Sequence, residues 1–511
     1  MTMKKESYWY NTHIASFPPI SKDMQADVTI VGGGISGITT AYLLAKENIN
    51  VVLIEADQLI SGTTGHTTAK ITAQHGLIYD ELIQHFGKEK AKQYYTAQVQ
   101  ALQQIKKLIN EHQISCDFSE EDAYIYTNDD NYVSKLKSEA NAYQELDIPG
   151  SLVTHMPLDI PMKLGLKMDK QAQFHPVKYL ASLVNELSKN NNIRIFEQSP
   201  ATDIQNSESD QPIVITKQGN VIQSRHVVIA SHFPFYDMKG LYFARMYPER
   251  SHLIAAKTKQ KYPGGMYISA EQPIRSVRAT NSHDDQEIWL FGGERYRTGH
   301  AKQQKEAFHK LEAFANQHVV IDTFINQWAA QDLTTTDKVP YIGKLCKSTP
   351  NVYIATGYRK WGMTNGAIAA QLITDDILNK QNPMSDLFSP QRFHSDPDIK
   401  KLISMNATTA KHLIASKLAI PMNKIDELKA NQATTILAGI NKIGVYRDEA
   451  SDLHAIDTTC THMGCEVTWN GNEQTWDCPC HGSRFSVTGE VLEGPATKPL
   501  NPYDTSELED H

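Results

Sequence analysis

Residues Cys460 to Ser483 read CTHMGCEVTWNGNEQTWDCPCHGS and hold four of the six cysteines in a chain of 511 residues. Cys460-x-His462 and Cys478-x-x-His481 form two short arms, each offering one thiolate and one imidazole. Two Cys and two His could bind a structural zinc ion tetrahedrally. Each arm also carries a spare cysteine, Cys465 or Cys480, and GPATKPL follows at Gly494 to Leu500. Both additions argue against zinc. A second chemical motif opens the chain. The buried-strand run DVTIV (Asp27 to Val31) leads into GGGISG, then ITTAYLLAKENI, then NVVLIEAD. Gly32, Gly34 and Gly37 have the G-x-G-x-x-G spacing between a strand and a helix. That arrangement suits a dinucleotide pyrophosphate at a helix N-terminus. Glu55 ends the next strand, where its carboxylate can accept from ribose hydroxyls. The motif alone does not separate NAD from FAD.

The elements that position these residues divide into three regions. Residues 1–395 alternate strand-like and helix-like segments. Residues 396–425 are rich in Ala, Lys and Ile and read as a helical connector. Residues 426–511 carry short strands such as KIGVYRD and LHAID between Gly/Asn/Asp turns, which predicts a small all-β module. The fold class expected is therefore α/β plus all-β, in more than one domain. The composition, 40% hydrophobic and 21% charged, is that of a globular protein. A net charge of −8 argues against nucleic acid or an anionic membrane as partner. No apolar run is long enough to cross a bilayer, and the first residues lack a signal-type apolar core. A cytoplasmic location follows as an expectation. Six cysteines do not make a disulfide framework.

The cysteine-rich segment closely resembles a Rieske 2Fe–2S domain of the type found in respiratory cytochrome complexes. The resemblance implies Cys460, His462, Cys478 and His481 as cluster ligands, with one iron on the two Cys and the other on the two His. It implies a Cys465–Cys480 disulfide tying the two loops, and three stacked antiparallel sheets. Imidazole in place of thiolate removes negative charge and raises the potential, to roughly −150 to +300 mV. Ser483 would bond a cluster sulfide. Relatives with Tyr two residues later have higher potentials, so Phe485 implies a moderate one. A Rieske oxygenase would also need a 2-His-1-carboxylate iron site, and no clear set of that kind is visible.

A second strand, Gly-spaced loop and helix lie in NVYIATGYRKWGMTNGAIAAQLITDDIL, from Asn351, with Gly357, Gly362 and Gly366. WAAQDLTTTDKVPYIG precedes it and NPMSDLFSPQRF follows. With the first motif, these resemble the D-amino-acid oxidase superfamily of FAD enzymes over about residues 25–395. The family includes glycine oxidase, sarcosine oxidase and dimethylglycine dehydrogenase. The resemblance implies FAD-binding segments at about 25–85, 150–232 and 325–395, and an interleaved α+β substrate domain at about 86–150 and 233–325. It places Thr63, Thr64, His66, Gly357, Gly362, Met363 and Thr364 at the flavin, with the late helix aimed at the pyrimidine ring. In some relatives a His in a Ser-Gly-Thr-Thr-Trp-His stretch bonds the flavin covalently. Here Gly65 replaces the Trp, so His66 is read as a covalent attachment, as a noncovalent neighbour of the flavin, or as a His with no flavin role.

Glycine oxidase carries a substrate-binding Arg within Trp-Ala-Gly-x-Arg. Here WAAQDL puts Asp332 at that place, which favours a cationic or polyamine-like substrate, or none at all. Against this, Arg359 and Lys360 of GYRKWGM can hold a carboxylate, and Trp361 can wall the cavity. Asp332, Lys360 and Trp361 are thus the candidate catalytic residues, with Arg245, Tyr247 and Tyr296 as further cavity candidates. The resulting expectation is an FAD-dependent dehydrogenase of an amine or amino acid. It passes electrons singly through the cluster to an external acceptor, protein or quinone, docking at two surface histidine ligands. Alternatives are an oxidase using O2 directly, and an electron-transfer or redox-sensing protein without a dedicated organic substrate.

Overall fold

The computed structural model describes residues 3–206, 211–281, 286–300, 306–392 and 425–508. The connector expected at 396–425 lies outside them except for Ile425. No helix among the described residues is long and apolar enough to cross a membrane.

Runs of Val and Ile build the first sheet. Its strand order is Tyr341–Lys344, Val352–Thr356, Val221–Ile229, Met24–Val31, Val51–Ile54, Ile193–Phe196. Every pair on this path is parallel except the first. Parallel strands covered on both faces are apolar on both. Val28, Ile30, Val51 and Leu53 pack with Ile38, Ala41 and Leu44 of the helix Ile35–Lys46. Val52, Ile54, Val227 and Ile229 enter a second cluster. Ile35–Lys46 and the late helix Gly362–Ile377 each follow a parallel strand, so both N-termini meet at the carboxyl edge of the sheet. That edge is where open parallel sheets bind ligands.

The second sheet is larger and almost wholly antiparallel. Its order is Ile321–Thr335, Met246–Thr258, Glu287–Arg297, Arg275–Asn281, Met266–Ser269, Ser119–Thr127, Leu164–Gln173, Lys70–Ile71. Leu164–Gln173 pairs with Ser119–Thr127, and Ile321–Thr335 with Met246–Thr258. Leu164–Gln173 falls within the 150–232 segment and most of Ile321–Thr335 within 325–395, and each pairs in this second sheet with a strand of the 86–150 or 233–325 segment. Side-chain alternation reveals a strand but not its partner, because pairing is a long-range choice.

The C-terminal module has two antiparallel sheets among the described residues, where three were expected. Gln432–Ala438, Asn441–Arg447 and Leu453–Asp457 form one; Thr468–Asn470, Thr475–Asp477, Arg484–Phe485 and Val491–Glu493 form the other. The remaining pairings shrink to isolated bridges, Thr459 with Glu466 and Ile456 with Pro502. Trp476 and Phe485 are fully buried between the cysteine loops and the sheets.

Candidate functional site

The glycine turn leaves room for a ligand only because side chains are missing from it. Gly32 has φ +114°, and a Cβ at Gly37 would lie 1.9 Å from the Gly32 carbonyl. Glu55 accepts from the Gly33 amide at 2.6 Å and from the Asp57 amide at 3.0 Å. Burial pushes its carboxyl up. Thr64 Oγ1 accepts from the Ile35 amide at 3.2 Å, which satisfies one donor of the helix end. A cavity of about 1830 Å³ opens here, lined by Gly32, Gly34, Glu55, Thr63, Thr64 and His66. Gly362 and Met363 reach it from the late helix, whereas Gly37, Gly357 and Thr364 pack behind it. His66 offers Nδ1 to the Gly62 carbonyl at 2.9 Å and to Tyr10 Oη at 3.3 Å, leaving Nε2 for the cavity.

Farther along, Lys360, Trp361, Asp332 and Tyr247 line the same void. Arg359 and Lys360 take left-handed backbone angles, φ 50° and 71°. This turn aims the Lys360 amide at Asp332 Oδ1, 3.1 Å away, and the ammonium at Ser251 Oγ. Burial raises the Asp332 carboxyl, tempered by Lys360 and His232, while burial lowers the Lys360 ammonium. Asp332 thus lines the cavity with one carboxylate oxygen, Oδ1, accepting from the Lys360 amide. Trp361 stacks on His75 at 4.6 Å. Arg245 turns away to stack on Tyr341 and bond the Pro390 carbonyl at 2.8 Å, and Tyr296 packs on His252 outside the cavity.

Lys70 is a buried cavity residue to which no role had been given. Its ammonium donates to the Ser276 hydroxyl at 2.8 Å and the Tyr267 carbonyl at 3.2 Å. Among the described residues no carboxylate pairs with it. Burial, and secondarily Arg278, lowers it to about 7.

In the C-terminal module the two arms come together. Cys465 and Cys480 form a disulfide, and their sulfurs lie within 4.8 Å of Cys478 Sγ. Cys460 and Cys478 remain as buried free thiols. Their mutual hydrogen bond holds the Cys460 thiol down, at about 7, and pushes the Cys478 thiol up. The His462 and His481 rings meet edge-on at 5.0 Å. Both ring nitrogens of His462 are buried without a hydrogen-bond partner. Ser483 Oγ accepts from the Ala496 amide at 3.0 Å.

The histidines do not face solvent. Phe243 of the N-terminal region sits edge-on to both, at 5.6 Å from His462 and 5.2 Å from His481. Asp237 approaches His462 at 3.7 Å. The surface histidine edge expected from sequence is therefore covered, because the module docks with that edge inward. A buried charge network fixes the docking. Arg250, 1% exposed, pairs with Glu473 and Glu493, and Arg484 joins both as well as Asp477. Burial alone would raise the Glu473 carboxyl; Arg250 and Arg484 outweigh it and hold it at about 2. Gln331 Nε2 donates to the Gly482 carbonyl at 3.0 Å.

Residues 27–376 match the family described as DAO, FAD dependent oxidoreductase. The chain belongs to that FAD-dependent oxidoreductase family. Residues 419–504 match the Rieske 2Fe–2S domain. A protein of Bacillus subtilis strain 168 named as a Rieske 2Fe-2S iron-sulfur protein, YhfW, is 46% identical over 98% of this chain and 97% of its own length. Among solved structures, glycine oxidase from Geobacillus kaustophilus is similar at a TM-score of 0.60 and 16% identity, covering 72% of this chain and 99% of that one. L-Amino acid deaminase from Proteus vulgaris gives 0.60 at 18%, over 74% and 97%.

This FAD-dependent oxidoreductase uses FAD and one Rieske 2Fe–2S cluster. The residues present fit both groups. Two thiols and two imidazoles lie beside a disulfide, with neither ring nitrogen of His462 hydrogen-bonded. The cavity follows the glycine cradle and has buried, unpartnered polar atoms on its wall, His232 Nε2 and Glu493 Oε2. Sequence reasoning missed Lys70, His75, His232, Phe243, Arg250 and Gln331. No local motif marks them, since each acts through partners far along the chain.

Proposed function

We propose that this oxidoreductase oxidises the CH–NH bond of a small amino acid and sends the electrons one at a time through the cluster to an external acceptor. The observation that carries the reading is the junction: one cavity is lined by the glycine cradle, by Lys360 and Trp361, and by Glu473, Arg484 and Glu493 of the cluster module. FAD supplies hydride acceptance from the carbon beside an amine. The chain's own residues bind and orient. Lys70, without an acidic partner, and Lys360 offer cations for a substrate carboxylate; Trp361, held flat by His75, walls the chamber. Cys460, His462, Cys478 and His481 would hold the cluster, with its histidine edge against Phe243. Glycine oxidase and L-amino acid deaminase, which share the fold, are named for amino-acid chemistry and support the substrate class.

Anaerobic titration with a panel of amino acids and amines tests the proposal. Flavin bleaching and the cluster's paramagnetic signal should grow together with one amino acid. Bleaching by amines alone would overturn the substrate class. Bleaching without a cluster signal would leave an oxidase.

A further inference from the structure

The cavity has a wall from each module. Val491, Glu493, Gly494, Pro495 and Thr497 of the cluster module line the same cavity as Gly32 and Glu55 of the cradle. Two contacts cross the seam. Glu490 pairs with Lys217 at 3.0 Å, and Gly494 packs against Phe233. Inside the seam, His232 Nε2 and Glu493 Oε2 are buried without a hydrogen-bond partner, the two side chains being near enough to attract each other, and both residues line the void. A buried carboxylate oxygen left unpaired is costly, so a ligand donor is expected there. The other Glu493 oxygen is held by Arg250 and Arg484, which fixes the direction of the free one. FAD carries hydroxyl donors along its ribityl and ribose portions, and a carboxylate acceptor suits them.

We propose that the cluster module is part of the FAD site: Glu493 Oε2 accepts from an FAD hydroxyl, and Val491–Thr497 closes the cavity over the bound dinucleotide. Flavin binding and docking of the module are then one coupled equilibrium. Each must strengthen the other by the same factor.

The experiment uses full-length protein prepared flavin-free by riboflavin-limited growth, and neither arm involves substrate or turnover, so it stands apart from the proposed reaction. In the first arm FAD is titrated into wild type and Glu493→Gln. The variant should bind FAD about tenfold or more weakly, the loss of one charge-assisted hydrogen bond. The second arm needs no variant, so a misfolded Glu493→Gln leaves the idea testable. Amide exchange at 491–497 is compared with and without FAD, and should slow on loading. Affinity within twofold of wild type in a folded variant, or exchange at 491–497 indifferent to FAD, overturns the proposal.

Discussion

Gln331 and Gly482 meet across the two modules, with Gln331 Nε2 donating to the Gly482 carbonyl at 3.0 Å. Gly482 follows His481. The backbone carbonyl of Gln331 in turn accepts from Thr63 Oγ1 at 3.1 Å, and Thr63 lines the FAD cavity. One buried residue thus touches a loop of the FAD cavity and the loop that carries His481.

Replacing Gln331 with Leu leaves the Gly482 carbonyl unpaired, at about 1–3 kcal/mol. Substrate-driven flavin bleaching should keep its rate, while the reduced-cluster signal that follows should appear more slowly. Stopped-flow absorbance beside freeze-quenched paramagnetic spectra separates the two steps. Equal slowing of both would assign Gln331 a structural role only.

Gly37→Ala drives a methyl into the Gly32 carbonyl, 1.9 Å from the new carbon. Overpacking of this kind costs about 1–3 kcal/mol. Purified variant should carry much less flavin than wild type at equal cluster content, read from the visible spectrum and iron analysis.

Lys70 sets a pH dependence. Folding lowers its pKa from 10.5 to about 7, so between those values the unfolded chain binds the extra proton. Stability contributed by this site therefore rises as pH climbs from about 7 towards 10.5. Lys70→Met should flatten that part of the curve in denaturant midpoints measured across pH. For a carboxylate substrate, wild-type KM should increase above pH 7 as the ammonium is lost, and the variant should show a raised KM with no such slope.

Cys465 and Cys480 close a loop with a sequence separation of 15. A chain-entropy estimate for such a loop is about 3 kcal/mol. The Cys465→Ser/Cys480→Ser double variant should assemble a cluster that chelators strip faster than from wild type, followed as decay of its visible absorbance.

How much of this was legible beforehand depended on distance along the chain. Cys460, His462, Cys478 and His481 are nominated from ligand spacing and Gly32, Gly34 and Gly37 from a turn motif, both of which are local patterns. The contact of Asp332 with the Lys360 amide could not be read, because the two lie 28 residues apart. The inward turn of the histidine edge was invisible for the same reason. It rests on Arg250, which meets Glu473 across 223 residues. Local sequence told what each loop could hold but not what it would be pressed against.

The turn at Arg359 and Lys360 has a further consequence. Two successive side-chain-bearing residues in left-handed geometry sit where glycine would rest without penalty, and each such residue costs about 1–2 kcal/mol. The backbone here works against local preference, held by the Leu333 carbonyl on the Arg359 amide and by Asp332 on the next. What the tension secures is placement: a guanidinium on the His75 carbonyl and an ammonium beside Ser251, neither of which glycine could supply.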